Sequence, residues 1–290
     1  MPTVRPHAPD AVLSLATVRQ PETPSEPPTE PWPGVDWLSV HVRLELNPPA
    51  GWYAAMKPAM EIGAAVLMLP VALLAIVAAW VLVRATSAGP GFYVQTRVGR
   101  GGRPFRIVKI RTMYSDASVA KNIEWAKKND RRITPVGKIL RTLHIDELPQ
   151  LFNVLKWEMS LVGPRPERPE VIASKGLMKQ VPGYEFRTAV HPGVTGLAQV
   201  QLPADTDTLS VRHKVYYDLY YLMNRSLWLD LRLCAATALK AFLSPPTLRR
   251  VLLLPTRERV VAQVLQLVQP VAETGTSAAT PSPKPAPATA

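Results

Sequence analysis

Apolar and polar positions divide this chain into stretches of different character. From Ile62 to Val83 it is apolar throughout, about 22 residues without a charge, with Lys57 and Glu61 before the run and Arg84 after it. At about 1.5 Å per residue, a helix of that length crosses the hydrocarbon core of a bilayer. Pro70 lies inside the run and removes one backbone hydrogen bond, which predicts a kink. The pattern fits a single span with a tolerated proline, and it fits equally a bent helix that enters and leaves by the same face. Basic residues are dense only on the C-terminal side, which assigns that side to the cytoplasm.

Beyond the run the period changes. Phe92 and Val94 on one side of Gly99–Gly102, and Ile107, Val108 and Ile110 on the other, predict two short strands around a turn. Residues 114–140 are charged and helical in flavour and read as a surface helix. Leu148, Leu151, Phe152 and Leu155 then recur at helical spacing. Pro149 suits only a first turn, which places Asp146 near the N-cap, where backbone N–H groups and the helix dipole favour negative charge or a phosphate. An ordinary capping role for the Asp146–Glu147 pair is the plain alternative. Residues 171–190 read as helix and loop, and Pro192–Gly193 with Gly196 as a rigid loop of close backbone approach. Residues 211–243 are strongly helical, with Trp228 and several tyrosines beside basic residues, which suits either a core helix or one lying at headgroup level. Residues 247–268 repeat that style around Pro255. Near the start, Trp37–Leu46 alternates like a short strand.

Composition sharpens this division. Of 290 residues, 31 are proline, and they crowd the first fifty and last twenty positions. Those ends read as disordered, and the remaining roughly 220 residues suffice for one buried core. No basic segment leads into an apolar one at the start, so no signal peptide is read there. The net charge is +12, from 34 Lys and Arg against 22 Asp and Glu. Such a balance points to an anionic partner. Nucleic acid is set aside, because the cations cluster beside the apolar run and no recognition motif is present. The single cysteine, Cys234, cannot form an intrachain disulfide and fits a reducing compartment. No phosphate-cradling P-loop pattern occurs.

Candidate chemistry centres on residues 141–170. Asp146 and Glu147 are flanked by Arg141 before and by Arg165 and Arg168 after, while Lys109 and Arg111 alternate with apolar residues and could share a face toward an anion. A carboxylate among cations is what phosphoryl transfer needs: a nucleophile on phosphorus, with a divalent metal neutralising the phosphate oxygens.

The ordered segments GPGFYVQTRVGRGGRPFRIVKIRTM, LHIDELPQLFNVLKWEMSLVGPRPE, HPGVTGLAQV and YYDLYYLMNRSLWLDLRL, preceded by the apolar run, resemble the monotopic bacterial sugar transferases, the polyprenyl-phosphate phosphoglycosyl transferases. The resemblance covers about residues 56–243. It implies an α+β fold: a small membrane-anchored globular domain, mostly helical, with a short β-hairpin, interfacial amphipathic helices and a re-entrant anchor broken near Pro70. The implied organisation is a disordered arm (1–50), a membrane helix (56–86), a catalytic domain (87–243), a candidate interfacial helix (244–268) and a disordered tail (269–290).

The resemblance also implies that Asp146 attacks the sugar-linked phosphate of a UDP-sugar and releases UMP, and that the phosphosugar then passes to a polyprenyl phosphate such as undecaprenyl phosphate. Glu147, with Asp146, would hold Mg²⁺. Lys109, Arg111 and Arg141 would lie near phosphates, Pro164–Arg165–Pro166 near the nucleotide, and Asp218 would be a further site carboxylate. The implied location is the cytoplasmic face of a bacterial inner membrane, at the start of exopolysaccharide, O-antigen or glycoconjugate synthesis, with a homodimer left open. Two positions depart from the family pattern: His191 replaces a basic residue, and Gln201–Asp205 replaces an Asn-Gly-Arg segment. Both bear on which sugar is used. The competing readings are a nucleotide-sugar glycosyltransferase built on Asp205–Thr206–Asp207, and a scaffold that only binds anionic lipid.

Overall fold

The computed structural model describes residues 51–114 and 130–266, together with the backbone of 40–42 and 268–270. Apart from those two backbone segments, the arm before residue 51 and the tail after 270 lie outside the described residues, as do positions 115–129 of the expected surface helix.

Helix α1 (Trp52–Thr86) runs 35 residues and stays helical through both Pro58 and Pro70, so no break occurs at Pro70. It also starts earlier than the apolar run alone suggests. Glu61, Ala65, Ala72, Ile76, Ala79 and Val83 are buried. Their spacing of three, four and seven residues draws a single stripe along the helix. Small alanines in that stripe let the neighbouring backbone approach closely. The remaining faces carry exposed large apolar residues, with Leu67 at 81% and Leu74 at 74% exposure. Such a surface is unfavourable in water and natural in lipid.

After α1 the chain turns at Gly91, packed so closely under the Trp80 ring that an added Cβ would lie 2.4 Å from it. Strands β2 (Phe92–Val98) and β3 (Pro104–Ile110) form the expected antiparallel hairpin, with Phe92 opposite Ile110 and Val98 opposite Pro104. Gly101 and Gly102 adopt positive φ in its turn, a conformation that costs glycine nothing.

Helix α2 (Pro135–Thr142) begins at Thr134, whose hydroxyl accepts from the Gly137 N–H at 2.9 Å. The tight segment Ile145–Gln150 and helix α3 (Leu151–Leu155) follow. Here the expected place of Asp146 near a helix start is met, while the kind of helix differs. Ile145–Gln150 is a 3₁₀ helix capped at His144, which sits in the left-handed region at φ 57°, and Asp146 and Glu147 lie in its first turn. Pro149 explains the tighter winding, since it has no N–H to return to an upstream carbonyl and α-helix starts only after it.

Strand β4 (Ser160–Val162) pairs in parallel with β5 (Gly193–Thr195). Between them lie α4 (Pro169–Ser174), α5 (Leu177–Gln180) and the 3₁₀ segment Tyr184–Ala189. Helices α6 (Leu197–Gln201), α7 (Thr208–Asn224), α8 (Leu227–Leu239), α9 (Pro245–Val251) and α10 (Arg257–Leu265) complete the domain. The long helical stretch from 211 is therefore two helices, separated at Arg225–Ser226. Strands β1 (Val40–Val42) and β6 (Val268–Pro270) pair antiparallel, so a strand does form near Trp37–Leu46, and its partner includes Gln269 and Pro270.

The largest core surrounds α7, which is buried on nearly every side from Lys214 to Leu222 and packs with Leu197, Leu229, Leu233, Leu248, Val260 and Val264. Residues 245–265 thus turn one side into this core, leaving Val251 and Leu253 exposed on the other. Two smaller clusters seat α1 on the domain. Ala65 and Ala72 meet Phe105, Ile107 and Leu151, while Ile76, Ala79 and Val83 meet Ile110 and Leu140.

Candidate active site

The carboxylate pair lies where β3, α2 and the 3₁₀ segment converge over the second half of α1. Glu147 is held from two sides. Lys109 Nζ, from β3, donates to its Oε1 at 2.5 Å, and Arg165 Nη2, from the Pro-Arg-Pro loop after β4, donates to the same oxygen at 2.9 Å. Burial pushes the Glu147 carboxyl up, but the Arg165 and Lys109 charges outweigh it and hold the group well below the usual carboxylate range. Burial, helped by the Arg165 charge, brings Lys109 down to about 8 despite Glu147.

Asp146 is built the opposite way. It is 8% exposed and accepts no hydrogen bond among the described residues. Burial and then the neighbouring Glu147 charge push its carboxyl up to about 6, against the pull of Lys109, Arg141 and Arg165. A buried carboxylate without a donor is costly. It is also reactive, because nothing competes for its lone pairs. Arg141, in the last turn of α2, is oriented by a 2.7 Å bond from Nε to Thr112 Oγ1. Gly137 permits this packing, since a Cβ there would lie 2.1 Å from the Thr112 carbonyl.

Of the residues singled out in the sequence, Asp146, Glu147, Lys109, Arg141 and Arg165 are brought together. Arg111 is not. Its guanidinium donates to the carbonyls of Ala88 and Ser87 at 2.6 and 2.8 Å and to Ser87 Oγ, clasping the chain as it leaves α1. In this structure Lys109 and Arg111 thus have different partners. Asp218 is also spoken for: Arg187 Nε donates to its Oδ2 at 2.8 Å. Pro164 and Pro166 line a small pocket of about 20 Å³, with Val98, Tyr184, Arg187 and Pro192. That is room for about one water, so it is a notch beside the loop rather than a nucleotide-sized cavity.

The Gly-rich 190–196 loop does approach a backbone closely, and that backbone is the protein's own. A Cβ on Gly193 would lie 2.1 Å from Gly163 N, and one on Gly196 would lie 2.2 Å from Gly163 O. Gly163 N donates to Thr195 O and Gly193 N to Pro164 O, both at 2.9 Å, so this loop braces the Pro-Arg-Pro segment. Arg97 on β2 braces it from the other side through the Pro166 carbonyl and Glu167. Arg97 was visible only as one of many arginines, and Arg187 carried no local signal, because its partner lies 31 residues away.

His191 packs its ring on Trp157 at 4.5 Å. Burial, Arg100 and Lys57 bring it down to about 4, so it is neutral near pH 7 and supplies no charge to a phosphate. The Asp205–Thr206–Asp207 match is consumed structurally. Asp205 pairs with Lys214 at 2.9 Å, and Asp207 caps α7 by accepting from Ser210 N at 2.7 Å. That leaves little for a nucleotide-sugar metal site.

Asp146 and the unbonded Oε2 of Glu147 are the oxygens here that could face a cation. Among the described residues, no group of three or more acidic, histidine or cysteine side chains converges. A hard divalent ion held by one or two carboxylates, with substrate phosphates and water completing its shell, fits that donor set, and Mg²⁺ binds in this manner.

The chain is similar to known proteins over this same region. The family model described as bacterial sugar transferase matches residues 52–244. A UDP-N-acetylgalactosamine-undecaprenyl-phosphate N-acetylgalactosaminephosphotransferase of Aeromonas hydrophila is 43% identical over 182 residues, 63% of this chain and 42% of the relative. A UDP-glucose:undecaprenyl-phosphate glucose-1-phosphate transferase of Klebsiella pneumoniae is 43% identical over 164 residues, 56% of this chain and 35% of the relative. One of the same description from Caulobacter vibrioides is 42% identical over 173 residues, 59% of this chain and 62% of the relative. The matched part thus spans less than two thirds of each of these relatives, and their names differ in the sugar.

Proposed function

The chain belongs to the bacterial sugar transferase family, and from that premise we propose that it moves a sugar-1-phosphate from a UDP-sugar to a polyprenyl phosphate such as undecaprenyl phosphate. The observation that carries the reading is the contrast within one 3₁₀ turn. Glu147 is locked as an anion by two cations, while Asp146 is buried, raised in pKa and free of donors among the described residues.

A carboxylate oxygen of Asp146 attacks the sugar-bearing phosphorus. The bond from that phosphorus to the UMP oxygen breaks, UMP leaves, and the phosphosugar remains on Asp146 as an acyl phosphate. An oxygen of the polyprenyl phosphate then attacks the same phosphorus and displaces the Asp146 carboxylate, which gives a polyprenyl-diphosphate sugar. Arg165, Lys109 and Arg141 supply positive charge to phosphate oxygens in a site of low dielectric, where such charge acts most strongly. Mg²⁺ held by Asp146 and Glu147 would neutralise further phosphate charge when bound.

For the membrane arrangement, the support is where α1 is held. Lys57 and Tyr53 near its start both bond Asp230 of α8, and Arg111 grips the chain just after its end. One domain therefore holds both ends and a stripe between them. That suits an anchor bent at Pro70 without interruption of the helix, entering and leaving on a single face, the cytoplasmic face of an inner membrane. Trp228 and Leu231, exposed at the start of α8 beside Asp230, suit contact with the same interface. Exopolysaccharide or related glycan assembly would be the process begun here.

The test is to incubate full-length protein in detergent with Mg²⁺ and a panel of UDP-sugars, with and without undecaprenyl phosphate. UMP release and a lipid-linked product that both require Asp146 are expected. Release of UDP would favour a glycosyltransferase. No nucleotide turnover with any donor, and no effect of Asp146→Asn, would favour a lipid-binding scaffold.

A further inference from the structure

The buried ion pair between Arg187 and Asp218 is not part of the chemistry described above, yet it touches the Pro-Arg-Pro loop. Asp218 rises from α7, the most deeply buried helix, and its side chain is 3% exposed. Arg187, 9% exposed, comes from the Tyr184–Ala189 segment and donates Nε to Asp218 Oδ2 at 2.8 Å. Its other arm, Nη2, donates to the backbone carbonyl of Arg165 at 3.1 Å, and its guanidinium lies 5.0 Å from the centre of the Tyr184 ring. Arg165 in turn reaches Glu147 at 2.9 Å. A continuous line of contacts thus runs from the core helix to the carboxylate pair.

We propose that Arg187 and Asp218 are positioning residues, a strut that fixes Arg165 against Glu147, so that Asp218 acts on the reaction only through Arg165. Burying two charges costs much of what their attraction returns, and apolar replacements of such pairs are often as stable or more so. Stability alone is therefore a weak reason for this pair. Its geometry does give a reason: Arg187 is a rigid fork with one prong on the core and the other on the residue whose side chain must meet Glu147. The rest of the loop is held through Gly163, Pro164 and Pro166, so among the described residues Arg187 is the side chain that ties the Arg165 backbone.

The inference rests on the phosphoglycosyl-transfer reading for its catalytic consequence, but its structural half stands alone. The experiment uses full-length protein and has two arms. Hydrogen exchange over Gly163–Arg168 should rise about fivefold or more in Asp218→Asn, with α2 (Pro135–Thr142) unchanged. Unchanged exchange in the loop, or an equal rise in both segments, overturns the strut whether or not the protein turns over a UDP-sugar.

In the second arm, UMP release at saturating UDP-sugar should fall about tenfold in Asp218→Asn. The pair Asp218→Asn with Arg165→Ala should be no slower than Arg165→Ala alone. Arg187→Met combined with Asp218→Leu should hold the thermal midpoint while turnover stays low, a split that a merely structural pair would not show. Multiplying losses in the first pair, or recovery of turnover along with stability in the second, overturns the proposal.

Discussion

At the first turns of α1, Glu61 accepts from Lys57, Ser160 and the Val162 N–H, and Asp230 accepts from Tyr53, Lys57 and Tyr221. Every carboxylate oxygen in that cluster has a donor. Against the second half of the same helix, and among the described residues, Glu147 carries both its donors on one oxygen and Asp146 has none. Both clusters are buried and both mix acids with bases. The difference is in satisfaction: the first is complete and serves to dock the anchor, while the second leaves lone pairs free where a phosphorus could be met. Burying an unsatisfied carboxylate destabilises a protein, so its presence points to chemistry rather than to folding.

The two clusters should differ most at Asp146. Asp146→Asn should lower UMP release by about a thousandfold or more, while raising the thermal midpoint. Burial and the Glu147 charge push the folded pKa of Asp146 up to about 6, above the ordinary carboxyl value of 3.8. Between those values the folded state binds the extra proton, so stability falls as pH rises through the window and the penalty is complete above it. The gain from Asp146→Asn should therefore be about 1–3 kcal/mol above pH 6 and vanish below pH 4, as read by melts across pH.

Glu147→Gln should reduce turnover about a hundredfold and also cost stability, because Lys109 and Arg165 keep an acceptor oxygen but lose the negative charge that offsets their burial. Its folded pKa is depressed, so the contribution it makes is present above the unfolded value of 4.5 and is lost as pH falls below that. Melts of the variant and wild type should therefore converge in acid.

At the foot, Asp230→Asn should cost about 2–4 kcal/mol in denaturant unfolding, yet leave UMP release per folded molecule within about twofold of wild type. A large loss of turnover without unfolding would erase the distinction between the clusters. The smallest effect is expected at Asp207→Ala, about 1 kcal/mol from the lost α7 cap with turnover unchanged. Loss of activity there would revive the Asp205–Asp207 motif as a metal site.

Local pattern made the hairpin, the apolar helix and the Asp146–Glu147 pair legible, because alternation, length and charge order are carried by neighbouring residues. The winding of the pair is not legible in the sequence, because Pro149 fits a first α-turn and a 3₁₀ turn alike, and only the His144 geometry separates them. Arg111 looked like a phosphate ligand by alternation with Lys109. Its partners are backbone carbonyls, which every residue has and which leave no trace in sequence. The foot cluster joins Tyr53 to Asp230 across 177 positions and Glu61 to Ser160 across 99. Such pairings have no local signature, and neither has the Arg187–Asp218 strut.

Covalent capture of the phosphosugar on Asp146 can be read by mixing the protein with UDP-sugar and Mg²⁺ without acceptor lipid, then measuring nucleotide release and the mass of the peptide containing residue 146. A stoichiometric burst of UMP with a phosphosugar adduct on Asp146, both absent in Asp146→Asn and discharged by undecaprenyl phosphate, is the predicted result. UMP released only when acceptor is added, with no adduct at any time, would contradict it.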